Sequence, residues 1–461
     1  MKETLTKVID VAVENFGAEY VEARMQKISK TMLTLKEERV EAAREGVENG
    51  AALRVLINGA WGFASACSLQ TETLVKAVSA ACRMAKAASY KLKTPIRLVE
   101  SKAFEDHVST KPKKDPSKIS IEVKIGTVST IAKTVLKHDN RIKSCTIDYM
   151  DVAGKNLFMN SEGTYIEQDK LYVWSRILAT AKENSVFTFS REEIGSTAGY
   201  EVFDIEKPEI IGERAAKRAV DQLKAKTPKG GTFPAVLGPN VVGVFVHEAF
   251  GHLAEADLTL SGSVLMDKLG RKVASDVVTI YDDGTVEGAF GSFKYDDEGV
   301  PAQKTLLIKD GVVVGFMHNR ETAQKFNTCP TGNARAEDFR FEPIIRMRNT
   351  FMAPKDCSFE ELVEDIKFGY YFKSFRGGQA NLDGTFQVGI QEGYEIVKGE
   401  VSAPVRNASI SGNTLETLHK VDAVGKDFEL WPGRCGKGQT AFICDGGPHV
   451  RVLEVLVGGS A

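Results

Sequence analysis

The apolar positions of the opening segment, "MKETLTKVIDVAVENF", recur at helical spacing between charges: Leu5, Val8, Ile9, Ala12 and Phe16. They predict an amphipathic helix that Gly17 stops. The rhythm then turns to alternation, through "YVEARMQK", "KTMLTLKE" and "ALRVLINGAWGFAS", where Asn58-Gly59 signals a type I′ hairpin. Helical spacing returns from Thr71 to Ser89, with Leu74, Val78, Ala81 and Ala85 facing inward. A lysine- and proline-rich stretch, 91–118, reads as a linker or insertion. Beyond it the same order of elements repeats. A helix runs from Ile119 to about Lys137, strand pairs follow through "KNLFMNSEGTYIEQDKLYVWSRILATA", and a second helix runs from about Pro208 to Lys224. The pattern predicts two N-terminal α/β subdomains, 1–90 and 119–228, with an αββα duplication as one reading of their likeness.

From 229 to 461 the texture changes to short strands and frequent glycine. "TLLIKDGVVVGFMHN" reads as a hairpin about Asp310-Gly311, and "GTFQVGIQEGYEIVKGEVSAPV" as a meander turning at Glu392-Gly393 and Lys398-Gly399. Helical texture is confined to the segment around His247 and His252 and to "FEELVEDIKFGYYF". The expected fold class is α+β: two α/β subdomains followed by a β-rich C-terminal domain that carries the two-histidine helix.

Composition narrows the function. A chain of 461 residues, 43% hydrophobic and 26% charged, has the make-up of a multidomain globular protein. Its 60 basic and 62 acidic residues leave a net charge of -2, with no excess to hold a phosphate backbone, so direct nucleic-acid binding is not expected. The basic run in "STKPKKDPSK" is broken by Pro112, Asp115 and Pro116 and reads as a solvated linker. No apolar run approaches the roughly 18 residues a membrane helix needs. Seven cysteines without paired spacing point to reduced thiols and a cytoplasmic location.

The chemistry concentrates in "VFVHEAFGHLAEAD". The commonest zinc-protease motif places two histidines four apart on one helix face, whereas His247 and His252 are five apart. On a straight helix, at about 100° per residue, they would point about 140° apart. Two escapes exist: a π-bulge near Gly251, or a helix that ends there. A rival stripe keeps the helix straight and uses Glu248, His252 and Glu255, leaving His247 outside. The bland alternative is a solvated polar face, although Val241, Val242, Val244, Phe245 and Val246 run into the pair and deliver His247 toward the interior. A catalytic zinc takes three protein ligands and an open position. "WPGRCGKGQT" is the best supplier of the third: Cys435 sits in a glycine-rich turn, with Arg434 and Lys437 to favour its thiolate. His419 and His449 compete with it, and a buried hydrophobic role is the ordinary fate of such a cysteine.

Five blocks in register, "VHEAFGHLAEAD", "SFKYDDEGVPAQKTLLIKDG", "PTGNARAEDFRFEPIIRMRNTFM", "GGQANLDGTFQV" and "PGRCGKGQ" with a terminal "VLVGG", resemble the TldD/PmbA family, also called modulators of DNA gyrase. The likeness runs from about Gly231 to Gly459; the first 230 residues share only the general layout. The resemblance implies a zinc metalloprotease of the TldD branch with an HExxxH motif. It implies His247, His252 and Cys435 as metal ligands, Glu248 as general base, and unfolded peptides as substrates. It implies an interior chamber between two subunits, in a homodimer or in a heterodimer with a PmbA/TldE-type chain. The turn Cys435-Gly436-Lys437-Gly438-Gln439 is one residue shorter than the family pattern. Glu255 and Asp257 match the motif, as acceptors that orient an imidazole or cap the broken helix, or as surface acids. "FRGGQAN" offers Gly377, Gly378 and Gln379 as an edge for an extended peptide, with a glycine bulge as the alternative. Two other classes stay open: a regulatory binding module with a structural metal, and a Cys435-dependent hydrolase.

Overall fold

A computed structural model of the chain describes residues 1–459. The N-terminal elements fall where periodicity placed them. Helix α1 (Lys2–Phe16) ends at Gly17, whose φ of 69° is open to glycine at little cost. Strands β1 (Tyr20–Lys36), β2 (Arg39–Ile57) and β3 (Ala60–Ala66) form a meander, followed by α2 (Thr71–Ser89). Asn58 and Gly59 both have positive φ, as the type I′ turn requires. The second half repeats the plan with α3 (Ile121–His138), β5 (Ile142–Asn160), β6 (Tyr165–Glu183) and β7 (Val186–Ser196). A single turn, α4 (Val202–Ile205), precedes α5 (Pro208–Asp221).

The two halves share one sheet. Strand β1 pairs antiparallel with β5 from Glu22↔Asn160 to Lys36↔Thr146, so the meanders fuse into seven strands. The stretch expected as a linker contributes to it: Glu105–Val108, here β4, pairs in parallel with β6. Helices α1 and α2 bury Leu5, Val8, Leu74 and Val78 against Val21 and Leu53. Helices α3 and α5 bury Val128, Ile131 and Ala215 against Ile147 and Ile177. Odd-numbered residues of β1 serve both helix pairs, so all four helices lie on one face. The other face packs Ile28, Met150, Tyr172 and Trp174 against Phe290 and Cys444 of the C-terminal domain.

In the C-terminal domain, strand Phe368–Ala380 pairs with both Gly231–Leu237 and Thr385–Val397, which closes a barrel through Ala408–Asn413 and Val450–Gly459. A second, six-stranded sheet includes Asn349–Met352, Glu429–Gly436 and Thr440–Gly447. The hairpins at Asp310-Gly311 and Lys398-Gly399 form as expected, with positive φ at all four residues. Two expectations fail. Glu392-Gly393 is not a turn but lies inside Thr385–Val397, where the register slips; an added Cβ at Gly393 would come within 3.0 Å of Phe372, so the glycine serves close packing. The helix in "FEELVEDIKFGYYF" stops after Phe359–Val363, because "FGYYF" enters the barrel as Phe368–Ala380. Among the described residues no helix is long and apolar enough to cross a membrane.

Candidate metal centre

Between barrel and sheet runs the segment with the two histidines. It starts as a short α-helix, Pro239–Val244, with proline at its first turn, and widens into a π-helix over Phe245–Gly251 before a 3₁₀ turn at His252–Ala254. The wider turn puts residues five apart on one side, and the imidazoles of His247 and His252 lie with ring centroids 5.1 Å apart. Apolar neighbours anchor the irregular stretch: Val241, Val242, Phe245, Val246, Ala249, Phe250 and Leu253 are all buried. Gly251 lets Met347 pack close, since a Cβ there would come within 2.1 Å of Met347 Sδ. The straight-helix stripe of Glu248, His252 and Glu255 is therefore not what forms.

Cys435 comes from strand Glu429–Gly436. Its Sγ stands 3.2 Å from His252 Nε2, and one ligand atom each of His247, His252 and Cys435 lies within 4.8 Å of the other two. His419 and His449 lie outside this group; His449 is held by Asp427 at 2.8 Å and by the Tyr371 hydroxyl at 3.0 Å. His247 is 2% exposed, and among the described residues neither ring nitrogen has a hydrogen-bond partner. A buried imidazole without partners is costly, and a cation shared with His252 and the Cys435 sulfur removes that cost. Two imidazoles and a thiolate are a zinc-type donor set, so these residues fit the metal.

The electrostatics agree. Burial raises the Cys435 thiol, but the adjacent imidazoles of His247 and His252 reverse the effect and hold it well below its ordinary value. Burial lowers His252, yet the Glu255 carboxylate and the Cys435 sulfur lift it to about 10. Glu255, fully buried, accepts from His252 Nδ1 at 2.9 Å, which turns Nε2 toward the sulfur. Lys437 lies 3.1 Å from Glu255 and 2.7 Å from Asp257. The expectation that Arg434 and Lys437 favour the thiolate is thus not met: Lys437 holds the two acids, and the Arg434 guanidinium stacks over Trp174 and Phe442. Glu248 is partly exposed, its carboxylate 4.0 Å from His252 Nε2. Gly378 passes beside it, since an added Cβ would lie 3.5 Å from Glu248 Cγ; Gly377 faces open space, and Gln379 is exposed.

Two neighbours escape sequence reasoning. Arg346 donates to the Cys435 carbonyl at 2.8 Å and the Gln439 carbonyl at 2.6 Å, pinning the short turn. Asp445, buried where Gly243 leaves room, is pushed up to about 7 by burial and by the carboxylates of Glu248 and Glu193, against the pull of His247. A charged residue inside the apolar "FICDGG" was the available signal.

Fold and donor set together define the class: an α+β multidomain protein with a candidate metal centre on an irregular helix between a β-barrel and a sheet. Family models for the PmbA/TldA metallopeptidase match along the chain, domain 1 over residues 21–85, the central domain over 114–223 and the C-terminal domain over 230–459. Metalloprotease MJ0996 of Methanocaldococcus jannaschii is 40% identical over 457 residues, 98% of this chain and 99% of that protein. The zinc metalloprotease TldD homolog of Saccharolobus solfataricus is 36% identical over 448 residues, 97% of this chain and 98% of its own. TldE from Thermococcus kodakarensis has the same fold, with a TM-score of 0.79 at 21% identity over 99% of this chain and all of that one. The chain belongs to the TldD/PmbA family of metallopeptidases.

Proposed function

We propose that the protein is a zinc-dependent metallopeptidase that hydrolyses peptide bonds of unfolded peptides, with His247, His252 and Cys435 as ligands and Glu248 as general base. The observation that carries this reading is His247: a buried imidazole with two unpartnered nitrogens, aligned with a second imidazole and a depressed thiol. When bound, the ion supplies Lewis acidity to the attacking water and the scissile carbonyl. Glu248 takes the proton released by that water and delivers it to the leaving amine. Glu255 keeps His252 in the tautomer whose Nε2 can ligate, and Lys437, itself anchored by Asp257, holds Glu255 in place. The strand edge at Gly377, Gly378 and Gln379, free of bulky side chains beside Glu248, receives the substrate as an added extended strand. The TldE neighbour supports pairing with a second subunit, identical or PmbA/TldE-type. Seven free cysteines suit work in the reducing cytoplasm.

A second reading has one observation in its favour. Cys435, His252 and Glu255 are linked at 3.2 Å and 2.9 Å, the order of thiol, imidazole and carboxylate used by cysteine hydrolases. It gives His247 no task. The two readings separate under a chelator, which stops only the metal enzyme. Glu248→Gln tests the first directly. Zinc should stay bound while hydrolysis of an unfolded peptide, with any partner subunit present, falls about a hundredfold to ten-thousandfold. Cleavage at the parent rate by a zinc-loaded Glu248→Gln protein removes Glu248 from the mechanism and favours a regulatory binding role.

A further inference from the structure

A cavity of about 550 Å³ lies between the helix-free face of the N-terminal sheet and the C-terminal domain. Arg434 borders it, so it lies on the face of strand Glu429–Gly436 opposite the one that carries Cys435 toward the metal centre. Its floor holds a row of three carboxamides. Gln26, Asn156 and Gln168 stand opposite one another on β1, β5 and β6. Gln168 displays what such a group does in this setting. Its Nε2 donates to the Tyr295 carbonyl at 3.2 Å and its Oε1 accepts from the Tyr295 N–H at 3.0 Å, so one side chain grips both backbone polar groups of one residue.

Among the described residues Gln26 and Asn156 have no such partner. Gln26 is 4% exposed, and its Oε1 and the Oδ1 of Asn156 are buried without a hydrogen bond. Two residues along the strands, Gly154 faces Lys170. A Cβ at Gly154 would come within 2.2 Å of the Lys27 carbonyl, so the strands meet closely there and no side chain from β5 stands opposite Lys170. Burial pulls the Lys170 ammonium below its ordinary value. The two carboxylates that oppose this, Asp297 and Asp338, are engaged by Arg24 and Arg340. Ten lysines and arginines against eight carboxylates line the cavity as a whole, which leaves room for a negative charge.

We propose that this cavity binds an extended peptide ending in a free α-carboxylate, with Gln26 and Asn156 holding backbone amides as Gln168 holds Tyr295, and Lys170 pairing with the carboxylate. The proposal rests on the peptidase reading for its ligand class, since each cleavage releases a fragment with a new carboxyl terminus. The test uses the full chain carrying Glu248→Gln, which does not turn peptide over. The probe is a hexapeptide of alanine and serine with an N-terminal fluorophore, prepared as the free acid and as the C-terminal amide, with binding read by anisotropy. The acid should bind about tenfold more tightly than the amide, the effect of one charge-assisted hydrogen bond. Lys170→Met should abolish that preference and Lys170→Arg should keep it. Gln26→Leu with Asn156→Leu should weaken acid and amide alike. Affinities that ignore the double variant, or a preference for the acid that persists in Lys170→Met, overturn the proposal. Parent protein that cleaves peptide while these variants bind normally fails the cavity alone; variants that behave as expected beside a zinc-loaded parent that does not cleave fail the peptidase reading alone.

Discussion

Two buried polar clusters in this protein differ in one respect. Beneath α3, Lys124 is 1% exposed and meets Asp151 at 2.7 Å and the Thr31 hydroxyl at 2.7 Å, while Tyr149 donates to Asp151 at 2.5 Å. The cation and the anion pair and both hydroxyls join them, with a single oxygen, Asp151 Oδ1, left over. At the candidate metal centre the donors face one another, and among the described residues His247 has no partner for either ring nitrogen. Both clusters lie in well-packed cores, so burial alone does not separate structure from function. A titratable side chain with no partner at all does, because burying such a group is costly unless something else fills its bonds.

The comparison breaks if the two clusters respond alike. Lys124→Met removes one partner of a closed pair and strands Asp151, so it should cost about 3–5 kcal/mol of unfolding free energy, read by denaturant titration, and leave the metal content of the folded fraction unchanged. Stripping the metal from the parent should lower stability by about 4 kcal/mol relative to protein held at a thousandfold excess of zinc over its dissociation constant. In a His247→Leu variant the same treatment should change little.

The third test uses pH. In the metal-free fold Asp445 titrates near 7 against the 3.8 of an unconstrained carboxyl. The fold prefers its protonated form, so its contribution is present below pH 4 and is lost as pH rises through 7. Asp445→Asn should therefore stabilise metal-free protein progressively between pH 4 and 7, by at most about 4 kcal/mol, and the gain should level off above that range in thermal melts. The smallest effect belongs to Glu255→Gln. It leaves all three donors but loses the carboxylate that sets the His252 tautomer, so zinc affinity should drop about tenfold to a hundredfold in a competition titration.

Local features were legible and long-range ones were not. Helix α2 spans Thr71–Ser89, as its apolar spacing predicts, and Asn58-Gly59, Asp310-Gly311 and Lys398-Gly399 turn because those residues accept positive φ. The π-helix is legible for a physical reason: a five-residue gap between histidines that share a site admits few backbones, and Gly251 marks where the extra residue fits. Nothing local announces that β1 pairs with β5, because that register joins residues more than a hundred positions apart and fuses two apparent subdomains. For the same reason Arg346 and Asp445, both remote in sequence from His247, reach the site unnoticed. Glu392-Gly393 misled because a glycine after a polar residue looks the same whether it turns the chain or makes room for Phe372.

The central claim is that His247, His252 and Cys435 hold one metal ion. The direct measurement is the metal-to-protein ratio, by mass spectrometry, of the parent and of Cys435→Ala and His247→Ala, each dialysed against the same zinc-buffered solution. The account predicts one zinc per parent chain and a large loss in both variants, because two donors hold zinc far more weakly than three. Full zinc occupancy in either variant, or none in the parent, would contradict it.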